Sequence, residues 1–384
     1  QGTKTSHKLN TQNRKNRLFY RNLLFMSQSI QKKQITSGDM PLQRLDAPID
    51  DEDCRFMQSF HPNEAGTEDA MAFFDMYGFI IFRDALSPQQ CDDTIHDMLE
   101  FIREKHPDTF QRKDPRTWSQ GLQNFGMPRG TNCLFRPSLL RIRQEPVIHQ
   151  CFASVLQKEH IIVNHDRWLL QRATKDIDGN GTNCAEWETP RNVHLDLNPW
   201  EYMGEVKGKG RLQPSDLRYH KSRSFTTENN LVNKSMGLSV QGILSLGDIT
   251  DKSHGGTIVV PGFHKRFEEW VHTGLCQKGD TKCSDSLQYR FGDHDPVQSF
   301  AQHVTLRKGS LLIWDQRLAH GSTPNRSSMH RYAVPIRFFD ADLLRSQKIR
   351  AKDRALVVRN NIIGCGFIDE VTDLGMDVFG LSFG

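Results

Sequence analysis

The segment "GSLLIWDQRLAHGSTPNRSSMHRYAVPIRFF", residues 309–339, contains two short apolar runs on either side of a polar stretch rich in glycine, serine and asparagine. Apolar runs of this length, bounded by turn-forming residues, are typical of β-strands. We therefore predict strands at 309–314 and at 331–339. His320 follows the first of these strands, and Arg331 opens the second one eleven residues later.

Similar runs predict more short strands in the second half of the chain, whereas the first half has helical patterns. The further strands are predicted at 79–82, 160–163, 167–171, 193–197, 237–246 and 256–260. Helices are predicted before Gly78, at 146–156, and after the N-cap Ser87, where Gln90 closes a capping box. This order predicts an α+β, mainly β fold, in which a helical layer from the N-terminal half packs on a sandwich or jelly-roll barrel.

A histidine and an aspartate stand two positions apart in "RNVHLDLNPW", residues 191–200. Side chains i and i+2 of a strand leave the same face, so His194 and Asp196 would project into one space. With one more histidine they form the 2-His-1-carboxylate triad that binds non-haem iron. The spacing alone is weak evidence, because it recurs at 106–108, where Pro107 indicates a turn that ends a helix.

His320 is the best candidate for the third ligand, because it follows a strong strand and precedes Gly321. An antiparallel return would bring Arg331 close to it. A dicarboxylate that chelates iron needs a planar, bidentate cation for its far carboxylate, and a guanidinium group has that geometry. Ser322 would add a hydroxyl donor to the same carboxylate.

These features resemble the phytanoyl-CoA dioxygenase-like iron(II)/2-oxoglutarate oxygenases over roughly residues 65–345. The resemblance rests on "YGFIIFRDALSPQQC", on "LSLGDITDKSHGGTIVVPGFHK", and on the residues His194, Asp196, His320, Ser322, Asn325 and Arg331. It implies a double-stranded β-helix, a cupin-like jelly roll. It also implies that His194, Asp196 and His320 bind iron(II), that Arg331 and Ser322 bind 2-oxoglutarate, and that dioxygen is the other reactant.

Two further cosubstrate contacts follow from the resemblance with less support. Trp200 resembles an aromatic residue that some members place beside 2-oxoglutarate, and Gln171 is a candidate polar contact. Either residue is equally well explained as part of the core or of a strand surface. The sequence departs from the family at two turns, where Phe263 replaces a serine and "SHGG" replaces an asparagine-glycine pair. The remaining candidate histidines, expected not to bind metal, are His254, His264, His303 and His330.

The implied reaction is hydroxylation, or another oxidation, of a C–H bond with release of succinate and CO2. The carboxylate of Asp196 favours this over halogenation, because halogenating members have a small residue there. The expected substrate is a small, anionic metabolite, lipid or acyl thioester. Two alternatives remain open: an oxygenase acting on a protein or nucleic acid, and a non-catalytic binding module on the same fold.

The distribution of charge and of turn-forming residues divides the chain into three parts. Residues 1–40 carry eight basic side chains and one acidic side chain, so they hold +7 of a chain whose net charge is only +4. We therefore predict a basic, flexible segment at 1–47, an oxygenase domain at 48–345 and a C-terminal extension at 346–384 that packs on the domain. Within the domain we predict a helical part at 65–157, a jelly-roll core at 158–345 and inserted loops at 201–235 and 265–300.

The loop at 201–235 has seven basic and four acidic residues and no clear periodicity. Long connections of this kind are usually lids, binding loops or disordered inserts. Because it starts beside the metal strand, it would cover the open coordination positions and attract an anionic substrate through Arg211, Arg218 and Arg223. A solvated insert without a substrate role is the alternative.

Composition limits the remaining function classes. The eight cysteines form no C-x-x-C pair, which argues against a zinc knuckle or a dithiol redox centre and favours a reducing, cytoplasmic compartment. No apolar run is long enough to span a membrane. The acid-poor, arginine-containing start resembles a mitochondrial transit segment, which leaves a mitochondrial location as an alternative. Because the sequence begins with Gln1, we expect a processed or truncated end.

Overall fold

The first helices begin and end at the capping residues that the sequence places there. The computed structural model describes residues 44–123, 125–204, 212–272 and 287–383. Helix α1 spans Glu68–Tyr77 and ends at Gly78, whose φ of 80° lies in the left-handed region. A Cβ at Gly78 would stand 2.4 Å from the His264 ring, so this turn requires glycine. Helix α2, Pro88–Lys105, has the predicted capping box at its start.

Eight further helices follow along the described parts of the chain. They are α3 Pro137–Arg143, α4 Pro146–Leu156, α5 Pro199–Tyr202, α6 Ser222–Thr227, α7 Phe263–His272, α8 Asp342–Arg345, α9 Lys348–Gly364 and α10 Asp373–Val378. Several begin with proline, which has no N–H to leave unpaired in the first turn. The predicted helix at 146–156 is confirmed.

The described residues also form twelve strands. They are β1 Phe79–Phe82, β2 Ile161–Val163, β3 Leu169–Gln171, β4 Asn192–Leu195, β5 Val240–Ser245, β6 His254–Val259, β7 Tyr289–Arg290, β8 Gln302–His303, β9 Leu311–Asp315, β10 His320–Asn325, β11 Arg331–Ile336 and β12 Phe338–Asp340. Every strand that we predicted from apolar runs has a counterpart here, although the predicted strand at 331–339 is divided between β11 and β12.

The strands form two five-stranded antiparallel sheets and one small pair. Sheet I has the order β1-β9-β5-β11-β3, and sheet II has the order β7-β4-β10-β6-β8. The small pair joins β12 to β2. A helical layer covers the outer face of sheet I, where a Cβ at Gly242 would lie only 2.8 Å from the ring of Phe152 in α4. The predicted α+β class with a double-stranded β-helix core is confirmed.

Strand β10, "HGSTPN", was not predicted, because its composition is typical of a turn. It nevertheless pairs with both β4 and β6 in the middle of sheet II. Gly321 allows this close pairing, since a Cβ there would stand 1.7 Å from the carbonyl oxygen of Asn192. The pairing of β10 with β6 skips Pro324, which has no N–H to donate and lies opposite Gly255, whose φ is 72°.

The two segments predicted as inserted loops contain more regular structure than expected. The segment 265–300 includes most of α7 and all of β7, and residues 273–286 lie outside the described residues. The segment 201–235 contains α6, and its side chains Tyr219 and Phe225 are buried in the main core. Its residues 205–211 lie outside the described residues. The expectation of an aperiodic loop is wrong for the rest, because several single-turn helices are stabilised by tertiary packing.

The last helices contact the segment that follows α6. Arg354 of α9 is buried, and its Nη2 lies 3.2 Å from Oε1 of Glu228. The same guanidinium donates to the carbonyl oxygens of Val163 and Phe379. Among the described residues, no helix combines the length and apolar character that crossing a membrane requires. Residues 1–43, which include the predicted basic segment up to that point, lie outside the described residues.

Candidate active site

Neighbouring strands of sheet II bring two histidines and one aspartate together. His194 of β4 pairs directly with His320 of β10, and Asp196 follows one residue after β4 ends. His194 Nε2 lies 3.6 Å from Asp196 Oδ1, and His320 Nε2 lies 3.6 Å from Asp196 Oδ2. One ligand atom from each of the three residues falls within 4.8 Å of the others. A metal ion at their centre would therefore have two nitrogen ligands and one oxygen ligand on one side.

Hydrogen bonds fix both imidazole rings with Nε2 toward this centre. His320 donates from Nδ1 to the carbonyl oxygen of Leu318 at 2.9 Å. His194 donates from Nδ1 to Asn192 Oδ1 at 2.9 Å, while Asn192 Nδ2 donates to Ser322 Oγ at 3.2 Å. A histidine whose Nδ1 donates in this way presents the lone pair of Nε2 to a metal. The sequence analysis missed Asn192, although its position two residues before His194 on the same strand face was a usable signal.

Three glutamines hold Asp196. Gln241 Nε2 donates to Oδ2 at 3.1 Å, and Gln288 Nε2 donates to Oδ1. Gln316 Nε2 donates to the backbone carbonyl oxygen of Asp196 at 2.7 Å. Sequence reasoning found none of them, but Gln241 was detectable as the one side-chain amide in the apolar strand "VQGILS".

The surroundings set the protonation states that metal binding requires. Burial, followed by repulsion from His320, lowers the pKa of His194 to about 4. Burial raises the pKa of Asp196, but its electrostatic interactions with His194 and His320 and the hydrogen bonds to its carboxylate outweigh this effect and hold the pKa well below its usual range. At neutral pH His194 is therefore a neutral imidazole and Asp196 a carboxylate, which are the forms that bind a divalent metal.

The three ligands open into a cavity of about 890 Å³ between the two sheets. Sheet II contributes the ligands and Ser322, and sheet I contributes Trp314, Arg331 and Arg337. Trp314 lies beside the metal centre, with its ring 5.0 Å from that of His320. An aromatic residue next to the site was expected at Trp200, which instead packs in the core against Tyr289 and is not among the cavity residues.

Arg331 reaches the cavity from sheet I. The prediction that it returns on a strand beside His320 is wrong, because β10 and β11 belong to different sheets and face each other across the cavity. Its side chain is 5% exposed, and its Nη1 donates to Gln171 Oε1 at 3.1 Å. Gln171, the register partner of Arg331 on β3, also donates from Nε2 to Thr189 Oγ1 and is not a cavity residue. It contacts the arginine and does not itself line the cavity.

Burial lowers the pKa of Arg331 to about 10, so the side chain is still a cation at neutral pH. Within the described ranges no carboxylate lies within ion-pair distance of it. A buried cation without a protein counter-ion is costly, and an anionic ligand would supply the missing charge.

The three arginines predicted to bind substrate have different positions. Arg223 lines the cavity, whereas Arg218 is exposed, is not a cavity residue and donates to the carbonyl oxygens of Ser215 and Leu217. Arg211 lies outside the described residues.

The histidines that we expected not to bind metal are occupied elsewhere. His264 and His303 contact the backbone carbonyl oxygens of Asp75 and Gly255, and His330 Nδ1 accepts from the N–H of Ala173. His254 Nδ1 lies near Thr250. In the parts of the chain that the structure describes, His194, Asp196 and His320 are the one group of three such residues arranged to bind a metal.

This fold and this ligand set define a double-stranded β-helix iron oxygenase. Residues 214–333 match the family described as Phytanoyl-CoA dioxygenase (PhyH). A protein from Dictyostelium discoideum named "Putative phytanoyl-CoA dioxygenase" is 32% identical over 281 aligned residues, which cover 71% of this chain and 76% of that protein. The chain belongs to the PhyH family of iron- and 2-oxoglutarate-dependent oxygenases. The resemblance seen in the sequence is confirmed, and the cofactors are iron and 2-oxoglutarate, as in the relatives.

Solved structures of other proteins are similar at lower identity. EctD from S. alaskensis, solved with 2-oxoglutarate and 5-hydroxyectoine, is 13% identical with a TM-score of 0.42, and the match covers 78% of this chain and 82% of that one. The epimerase SnoN, solved with Fe3+, alpha ketoglutarate and nogalamycin RO, is 14% identical with a TM-score of 0.42, covering 71% and 83%.

Proposed function

We propose that this protein oxidises a C–H bond of a small, anionic metabolite, lipid or acyl thioester, with hydroxylation as the main outcome. One observation carries the proposal: a complete set of iron ligands faces the buried, uncompensated cation Arg331 across a single cavity. With iron and 2-oxoglutarate bound, the site supplies dioxygen activation, so that one oxygen atom enters the substrate and the other enters succinate as CO2 leaves.

Arg331 is the proposed anchor for the far carboxylate of 2-oxoglutarate. A guanidinium group offers parallel N–H donors that match the two oxygens of a carboxylate. Gln171 accepts one N–H of Arg331 and so orients the group, because its own position is fixed by Thr189. Ser322, whose Oγ accepts from Asn192, has its hydroxyl proton available for the same carboxylate. Gln171 is therefore a positioning residue and not a direct ligand in this proposal.

Two features support the substrate class. Five arginines but only three acidic residues line the cavity, and one of those acids is the metal ligand Asp196, so the potential inside favours an anion. The family name refers to phytanoyl-CoA, an acyl thioester, which is one member of the proposed class. The carboxylate of Asp196 occupies the position that a halide would need, which supports oxidation over halogenation.

Iron-dependent formation of succinate from 2-oxoglutarate tests the proposal. The full chain should form succinate slowly without substrate, and a chelator should abolish the reaction. His194→Ala should do the same while the circular dichroism spectrum stays unchanged. If His194→Ala formed succinate as fast as the wild type with equal iron, the assigned site would be wrong.

A further inference from the structure

A second buried arginine, Arg337, directly follows β11 and lines the same cavity as Arg331. The two residues are six positions apart, which corresponds to roughly 20 Å along an extended chain. Arg337 lines the cavity and is 3% exposed. Burial lowers its pKa to about 10, although the nearby charges of Glu228 and Asp196 act in the opposite direction. The side chain is therefore a cation at neutral pH.

One edge of the Arg337 guanidinium is free. Its Nη1 donates to the carbonyl oxygen of Asn229, and the backbone N–H donates to Asn164 Oδ1. Its Nε is buried and has no hydrogen-bond partner. Among the described residues, no hydrogen bond or ion pair uses its Nη2. The Nε and Nη2 hydrogens point in parallel, which is the edge that binds a carboxylate with two hydrogen bonds.

Strand register places Arg337 next to the metal centre. Ile336 pairs with Gly242, so Arg337, one position further, lies opposite Gln241, which in turn pairs with Trp314 on β9. Trp314 on β9, Gln241 on β5 and Arg337, which directly follows β11, thus form a row across sheet I, with about 5 Å from one strand to the next. Gln241 touches the carboxylate of Asp196, so the row faces the iron ligands.

The row and Asn229, which accepts from Arg337, contain four buried polar atoms without partners. They comprise the donors Trp314 Nε1 and Arg337 Nε and the acceptors Gln241 Oε1 and Asn229 Oδ1. Buried polar groups in proteins are nearly always hydrogen-bonded, and each exception calls for an explanation. A ligand that carries both a carboxylate and a hydroxyl or amine would satisfy donors and acceptors together.

We propose that Arg337, Gln241, Trp314 and Asn229 form a second anion site, which binds the carboxylate of the substrate to be oxidised and a hydroxyl or amine beside it. This inference rests on the proposed function and narrows its substrate class to a hydroxy or amino carboxylate. Arg331 binds the cosubstrate at the start of β11, and Arg337 binds the substrate directly after its end. The two anions are kept apart by the length of β11.

Calorimetric titration of the full chain tests this second site. Nickel(II) replaces iron, and saturating 2-oxoglutarate occupies the Arg331 end. The probes are 3-hydroxybutyrate, butyrate without the hydroxyl, uncharged 1,3-butanediol and inorganic phosphate. The wild type should bind 3-hydroxybutyrate best and 1,3-butanediol not at all. Arg337→Gln should weaken 3-hydroxybutyrate at least about tenfold, whereas the matched surface variant Arg326→Gln should leave its affinity unchanged.

Three results with the substrate probes would overturn the inference, and a fourth, with 2-oxoglutarate, is given below. The three are no saturable binding of 3-hydroxybutyrate to the wild type, equal affinity in Arg337→Gln, and tighter binding of phosphate than of any carboxylate. Arg337→Lys keeps the charge but not the parallel N–H edge, and it should recover part of the affinity. It serves as a second variant in case the glutamine variant does not fold. The Kd for 2-oxoglutarate should stay within about twofold in both variants. A large loss would assign Arg337 to the cosubstrate and end the inference, while the proposed function would fail separately, through the absence of succinate formation.

Discussion

The two sheets that enclose the cavity contribute different parts of the site. Sheet II holds the three metal ligands on short strands rich in polar residues, and local hydrogen bonds aim each ligand. Sheet I is built from buried apolar strands and carries Arg331 at the start of β11, with Arg337 directly after the end of that strand. A metal centre needs ligand atoms a few ångströms apart, which neighbouring strands provide. An anion site needs a cation that no protein carboxylate neutralises, which a rigid apolar sheet can hold in place.

The largest effect should come from removing a ligand from sheet II. In His320→Ala the metal loses one of its three protein ligands. Even residues that only support such ligands contribute about 10- to 100-fold to metal affinity. We expect iron affinity and succinate formation to fall at least about 100-fold. Equilibrium dialysis with iron(II) and the succinate assay measure both. The exposed His294→Ala is the matched control, and wild-type iron affinity in His320→Ala would contradict the ligand assignment.

Removing a side chain from sheet I should weaken cosubstrate binding without weakening metal binding. Arg331→Ala removes the proposed carboxylate anchor, so 2-oxoglutarate binding should weaken by about 2 to 5 kcal/mol, which is about 30-fold or more. Iron affinity should be unchanged, because Arg331 lies on the opposite sheet from the ligands. Calorimetry gives the first quantity and dialysis the second. Loss of iron affinity together with 2-oxoglutarate would mean that the two sheets do not act separately.

The buried His330, at the edge of sheet I, should make the stability of the protein depend on pH. It directly precedes β11, packs against Trp118 and Tyr332, and accepts a hydrogen bond from Ala173. Burial, and then repulsion from Arg172, lowers its pKa to about 4. An unfolded histidine has a pKa near 6.5, so only the unfolded chain gains this proton between about pH 6.5 and 4. The free energy of unfolding should therefore fall as the pH drops through that window, by at most about 3 kcal/mol.

Denaturant titrations at several pH values measure this effect. His330→Asn keeps an acceptor for the Ala173 N–H but cannot gain a proton, so the fall in stability between pH 6.5 and 4 should be smaller than in the wild type. His294→Asn, at an exposed position, is the matched control for the substitution. Identical pH profiles for the wild type and His330→Asn would show that His330 has the same pKa in the folded and the unfolded chain, which would contradict this prediction.

The parts of the site that the sequence predicted depend on local patterns. His194 and Asp196 were predictable because a strand has a period of two residues. His320 was found as a ligand although its strand was not recognised: "HGSTPN" has turn composition, and its strand conformation depends on pairing with β4 and β6 on both sides. The row of Trp314, Gln241 and Arg337 could not be predicted, because it exists only through the register of three strands distant in sequence.

The segment after the metal strand shows the same limit. Its lack of periodicity predicted a loop, yet Phe225 is buried, and Glu228 pairs with Arg354, which lies 126 residues away. Short helices of this kind are stabilised by tertiary contacts and not by their own sequence pattern. The prediction that its arginines meet the substrate therefore needs a test for each residue separately.

The smallest effect is expected at the rim between the sheets. Arg223 and Arg218 are both exposed, but only Arg223 lines the cavity. An exposed charge acts through a screened field, so Arg223→Gln should weaken binding of 3-hydroxybutyrate only about two- to fourfold at low ionic strength. The loss should vanish at high salt, whereas Arg337→Gln should remain defective there, because a buried contact is screened much less. Arg218→Gln is the matched control and should bind as the wild type does at every salt concentration. An effect of Arg218→Gln equal to that of Arg223→Gln would show that the general charge of the segment, and not its position at the cavity, attracts the anion.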